Sequence, residues 1–170
     1  MPSPRRTEVG AGSPHLYFLD TNLIVYALGR SPQALPETQA LERAARVIVQ
    51  AIGAGRLQAV TSLVVLQELI YLLRRWARRG AGPQMPSPQR VVADVIALCQ
   101  AVYTPTLAEL TGALAGYKQK QQDFNDRLIA QAMRAQGIRQ IVTADRGFTR
   151  IKGIRRLDPP ALAAQLEEAS

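Results

Sequence analysis

Asp20 and Asp145 each close a short apolar run, Leu16–Leu19 and Ile141–Ala144. In an open parallel sheet, ligands gather beyond the carboxyl ends of strands. Both acids also have a local reading: Asp20 can cap the following helix, and Asp145 can sit in a turn with Arg146 and Gly147. Glu68 shares a helical face with Val64, Val65, Tyr71 and Leu72, at about 100° per residue. An ionised carboxylate within an apolar stripe needs a cation, a cluster or a raised pKa. Arg75, two turns along that face, is the alternative partner. Asp126 shares its face with Ile129, Ala130 and Met133, while Asp123-Phe-Asn-Asp126 also has capping-box spacing, with Asp123 as N-cap. Four acids from separated segments cannot converge without neutralisation. Hard divalent cations with oxygen ligands, Mg²⁺ or Mn²⁺, supply it. The matching chemistry is phosphodiester hydrolysis, in which the ion activates water and offsets charge at phosphorus and on the leaving oxygen.

The elements that must position these acids alternate between strand and helix. Residues 1–14, rich in Pro, Gly, Ser and Arg, read as a loose leader, with a single domain over 15–170. Strands are expected at Leu16–Leu19, Leu57–Thr61, Val102–Thr104 and Gln140–Ala144, with an edge strand at Ile154–Leu157. Helices are expected at Thr21–Leu28, around Leu41–Ile52, from Leu63 to Arg79 with Ser62 as cap, at Gln89–Gln100, from Leu107 to about Gln121, and at Phe124–Gln136. Gly80–Pro88 must be a loop, and Pro159 and Pro160 open a last helix. The alternation implies an α/β sandwich around a mainly parallel sheet.

Composition narrows the function classes. Lys and Arg total 21 against 13 acids, a net charge of +8 that favours a polyanionic partner such as nucleic acid. Aromatics make up only 5% of the chain, which argues against an aromatic stacking platform for single strands. Cys99 stands alone, so neither an internal disulfide nor a cysteine-held zinc is available. No apolar stretch is long enough to span a bilayer and no signal peptide is visible, so a cytoplasmic location is expected. His15 is the only histidine, and no Walker loop, GxSxG or dinucleotide fingerprint occurs. Arg74, Arg75, Arg78 and Arg79 cluster at the end of the Glu68 helix, where they read either as a solvated helix end or as phosphate contacts. Lys118, Lys120, Arg150, Lys152, Arg155, Arg156 and especially Arg146, beside Asp145, are further candidates.

In order along the chain, four motifs resemble those of the PIN-domain ribonucleases. They are Leu19-Asp20-Thr21-Asn22 after an apolar strand, Glu68 in Ser62-Leu-Val-Val-Leu-Gln-Glu-Leu, Asp123-Phe-Asn-Asp126-Arg-Leu-Ile-Ala130, and Thr143-Ala-Asp145-Arg-Gly-Phe148. The resemblance runs from about Leu16 to Asp158. It implies a three-layer α/β/α sandwich and Mg²⁺- or Mn²⁺-dependent endoribonuclease activity. By this analogy Asp20, Glu68, Asp126 and Asp145 are metal ligands, supported by Asn22 and Thr143, with Asp123 an outer acid or a cap. The single domain looks most like VapC-type toxins, which implies an RNA substrate, a homodimer and a small antitoxin partner. The alternatives are a housekeeping RNA-processing or DNA-flap nuclease of the same fold, or an inactive PIN-like binding or scaffolding domain. Ile70, Leu72, Leu73 and Trp76 are expected to leave an exposed apolar patch on the Glu68 helix for the dimer or the antitoxin.

Overall fold

The computed structural model describes residues 16–29, 34–78, 86–117 and 123–169. The leader, His15, Arg79, Lys118, Lys120 and most of the 80–88 loop lie outside them. The chain runs β1 (Leu16–Leu19), α1 (Thr21–Leu28), α2 (Pro36–Gly53), β2 (Gln58–Ser62), α3 (Leu63–Arg78) and α4 (Pro88–Leu98). It continues through β3 (Ala101–Tyr103), α5 (Leu107–Ala115), α6 (Phe124–Ala135), β4 (Gln140–Val142), a 3₁₀ turn (Arg146–Arg150), β5 (Arg155–Leu157) and α7 (Pro159–Glu168). The five strands form one parallel sheet in the order β3-β2-β1-β4-β5.

Alternate strand residues face opposite ways, so each face of the sheet needs its own helices. Phe18, Val60 and Ile141 pack with Leu69 and Leu73 of α3, Val91 and Val95 of α4, and Ile129 and Met133 of α6. Leu19, Ala59 and Val142 face the other side, against Ala45 and Ile48 of α2 and Leu162 of α7. The result is the three-layer α/β/α sandwich. Among the described residues, no helix is long and apolar enough to cross a membrane.

Several local expectations shift. Ser62 ends β2 instead of capping α3, and its buried Oγ has no hydrogen-bond partner among the described residues. Helix α5 stops at Ala115 with Gly116 as its C-cap, and the Arg127 guanidinium fills the space that a side chain at Gly116 would need. The apolar face of α3 is more deeply covered than helical periodicity implies. Leu73 is buried, Leu72 is half-buried, and Trp76 packs partly buried against the core, so the exposed apolar residues in that helix's middle are Ile70 and Tyr71.

Candidate active site

The chain leaves β1 to build β2 and β3 on one side, then crosses back to place β4 on the other. The switch point therefore lies between β1 and β4, where an open sheet has its natural crevice. Leu19 pairs with Val142, so Asp20 and Thr143 emerge together at that crevice, with the Asp20 N–H donating to the Val142 carbonyl. The Thr143 hydroxyl donates to Asp20 Oδ2 at 2.6 Å and accepts from Asn22 Nδ2 at 2.7 Å and from the Asp145 N–H at 2.9 Å. Its one proton and both lone pairs are thus in use. Asn22 Nδ2 also donates to Asp20 Oδ2, at 2.6 Å, and Asn22 Oδ1 accepts from the Ala144 N–H. Asn22 and Thr143 hold the two strand ends, and Asp20 Oδ1 caps α1 through the Thr21 N–H at 2.8 Å.

Helices α3 and α6 bring the other two acids to the same mouth. Asp20, Glu68, Asp123, Asp126 and Asp145 line one cavity of about 490 Å³, together with Thr21, Asn22, Asn125 and the apolar Val25 and Leu72. Glu68 is half-buried at the edge of its apolar stripe, not within it. Its partners are neutral: the Thr21 hydroxyl donates to Oε2 at 2.6 Å and Asn125 Nδ2 donates to Oε1. Asp123 caps α6 by accepting from the Asn125 N–H at 2.8 Å. Asp126 does not complete a capping box. Its Oδ2 instead stands across Gly147 from Asp145: a methyl group at Gly147 would lie 3.4 Å from Asp126 Oδ2 and 3.1 Å from Asp145 Oδ1. Asp145 is exposed and caps the 3₁₀ turn through the Gly147 N–H.

The electrostatics of the cavity favour protons or a cation. Burial pushes the Asp20 carboxyl up to about 6 despite the Thr143 and Thr21 hydrogen bonds, with Glu68 and Asp145 adding to the rise. Burial likewise lifts Asp126 to about 7, reinforced by Asp145, Asp20, Asp123 and Glu68. No hydrogen bond from a described residue meets the Asp126 carboxylate. Among the described residues, no three His, Cys, Asp or Glu side chains converge tightly enough to hold an ion by themselves. A hard divalent ion bound there would take one or two carboxylates and complete its shell with water and phosphate oxygens. The all-oxygen donor set fits such an ion, and Asp126 and Asp145 both lie against the side-chain-free face of Gly147.

The basic candidates divide. Arg74, Arg75 and Arg78 are exposed and line a groove of about 530 Å³ with Gln67, Ile70 and Tyr71. Tyr71 lines the acid cavity as well, so the groove and the cavity adjoin at that residue. Arg146 is exposed beside Asp145 but does not line the cavity. Arg156 is structural, donating to the Ala144 carbonyl and pairing with Asp158. Thr21 and Asn125, the partners of Glu68, carry no sequence signal of that role beyond adjoining Asp20 and Asp126.

A search of curated proteins found no significant match. Among solved structures, the chain is similar to VapBC2 of Rickettsia felis, crystallised with a DNA fragment from its promoter, at 19% identity and a TM-score of 0.54 over 84% of this chain and 97% of that one. PAE2754 of Pyrobaculum aerophilum aligns at 19% identity and a TM-score of 0.59, over 91% and 96%. VapC20 of Mycobacterium tuberculosis, a sarcin-ricin loop cleaving toxin, aligns at 19% identity and 0.54, over 81% and 96%. These likenesses show the fold. The PIN-domain family model matches residues 17–154, most of the chain, and the chain therefore belongs to the PIN-domain family.

Proposed function

We propose that this protein is a metal-dependent endoribonuclease, using Mg²⁺ or Mn²⁺, and the toxin of a VapBC-type pair. The observation that carries the reading is the meeting of Asp20, Glu68, Asp126 and Asp145, from four separate segments, in one cavity at the sheet's switch point. Asp126 and Asp145 would hold the ion, with Asp20 and Glu68 completing the acidic wall. A bound ion would supply Lewis acidity that activates water for in-line attack and offsets charge at the phosphate. The chain's own residues do the rest. Thr143 and Asn22 keep Asp20 oriented, and Asp123 fixes the start of α6 so that Asp126 faces Gly147. Arg74, Arg75 and Arg78 line the groove that adjoins the cavity at Tyr71 and would bind the backbone of the RNA, displacing its counterions. The similarity to solved VapBC2 and VapC20 supports a small antitoxin as partner. Exposed Ile70 and Tyr71 offer an apolar contact for a homodimer.

The test is incubation of purified protein with labelled RNA and matched DNA, in Mg²⁺, Mn²⁺ or EDTA. The reading expects RNA cleavage with either ion, none in EDTA, and none by Asp20→Asn. Cleavage of DNA alone would point to a DNA nuclease instead, and intact polymers under every condition to a binding domain. Pull-down after co-expression with the neighbouring reading frame tests the antitoxin.

A further inference from the structure

Glu68 receives its two hydrogen bonds from the neighbours of two other acids. Thr21, directly after Asp20, donates to Oε2, and Asn125, directly before Asp126, donates to Oε1. Both donors are uncharged, so they steady the carboxylate without neutralising it. A carboxylate accepts at about four lone-pair positions, and these bonds use one on each oxygen, leaving the others open to the cavity. Thr21 is buried at the first turn of α1 and Asn125 lies in the first turn of α6. The two bonds therefore tie α3 to both helix starts that carry Asp20 and Asp126, across segments whose charges repel one another.

Resting on the metal-nuclease reading, we propose that Thr21 and Asn125 are positioning residues that clamp the Glu68 carboxylate and so set the spacing of Asp20, Glu68 and Asp126 before a divalent ion arrives. Without the clamp, the long Glu68 side chain is free to turn away from the like charges around it. The ion would then have to gather the acids as it binds, and its affinity would fall.

The test is direct titration of the full chain with Mn²⁺, read by the paramagnetic resonance of the free ion, with thermal melts in EDTA run in parallel. Thr21→Val removes the hydroxyl at nearly constant shape, and Asn125→Ala removes the amide. Each is expected to weaken Mn²⁺ binding about tenfold, or about 1.4 kcal/mol, and to lower kcat while leaving KM for RNA unchanged. Thr21→Ser, which keeps the donor, is expected to restore binding. Should Asn125→Ala fail to fold, Asn125→Ser, polar but too short to reach Glu68, takes its place. Val and Ala variants that melt lower yet bind Mn²⁺ as wild type does would overturn the clamp and leave the nuclease reading standing. A wild-type protein that binds no Mn²⁺ would overturn both.

Discussion

Replacing Asp20 with Asn should stabilise the metal-free protein at pH 8. Burial raises this carboxyl from an ordinary value near 3.8 to about 6 in the folded chain. A group whose folded pKa is raised contributes stability that is fully present below its unfolded pKa and is lost as pH rises through the folded value. For Asp20 that window runs from 3.8 to about 6. At about 1.4 kcal/mol per unit, the ionised side chain costs the folded state about 3 kcal/mol at pH 8. Asn removes the charge, but its amide cannot accept as both carboxylate oxygens do. If its carbonyl takes the Thr143 and Asn22 bonds, its NH₂ meets the Thr21 N–H, and one hydrogen bond of about 1 kcal/mol is lost. The net gain is then about 1 to 2 kcal/mol, or roughly 2 to 8 °C in Tm for a domain of this size. At pH 4 the wild-type carboxyl is protonated in the folded state and the advantage should vanish or reverse. Thermal unfolding after EDTA dialysis, at pH 8 and pH 4, measures the difference. Equal destabilisation by Asn at both pH values would refute the reasoning, because burial would then not be penalising the charge.

An ion entering the cavity must displace protons from Asp20, near 6, and Asp126, near 7. Mn²⁺ binding should tighten from about pH 5.5 to 8 and release protons, which calorimetry in two buffers of different ionisation enthalpy detects; no release contradicts it. Gly147→Ala should fold normally, since no positive φ is required there, yet weaken Mn²⁺ binding by crowding Asp126 and Asp145. Unchanged affinity would mean that ions bind elsewhere. Asp123→Ser, which keeps a cap, should cost far less activity than Asp126→Ser, and equal losses would show that their roles are wrongly divided. Ile70→Glu should abolish the dimer in light scattering at micromolar concentration, whereas a wild-type monomer would rule that dimer out. Trp76→Glu is a poorer test, because Trp76 packs on the core.

The legible parts of this protein were those written in local pattern. An apolar run ending in an acid marked β1, and helical spacing marked the α6 face on which Asp126 adjoins buried Ile129, Ala130 and Met133. What escaped depends on partners distant in sequence. The Thr21–Glu68 bond spans 47 positions and the Asn125–Glu68 bond 57, so neither spacing nor propensity points to them. Periodicity likewise gives the angle of a side chain on α3 but not its cover. Leu73, which periodicity leaves for an outer patch, is buried and Trp76 is half-buried against the core, while Tyr71, placed on the buried stripe, is 65% exposed. The capping box failed for a similar reason. Asp126 has the right position to answer Asp123, but its carboxylate lies beside Gly147 in the acid cavity.

The most direct test is the chemistry of the cut ends. Wild-type protein and the Asp20→Asn, Glu68→Gln, Asp126→Asn and Asp145→Asn variants would each be mixed, in excess, with an end-labelled RNA. The products are then resolved by whether their ends carry 5′-phosphate and 3′-hydroxyl or 2′,3′-cyclic phosphate. Water attack in an acidic metal cavity leaves linear ends with no cyclic phosphate. The account predicts such ends from the wild type with Mg²⁺ or Mn²⁺, none in EDTA, and none from any of the four variants even where they remain folded. Cyclic phosphate ends formed in EDTA, or undiminished cutting by the Asp20→Asn protein, would contradict it.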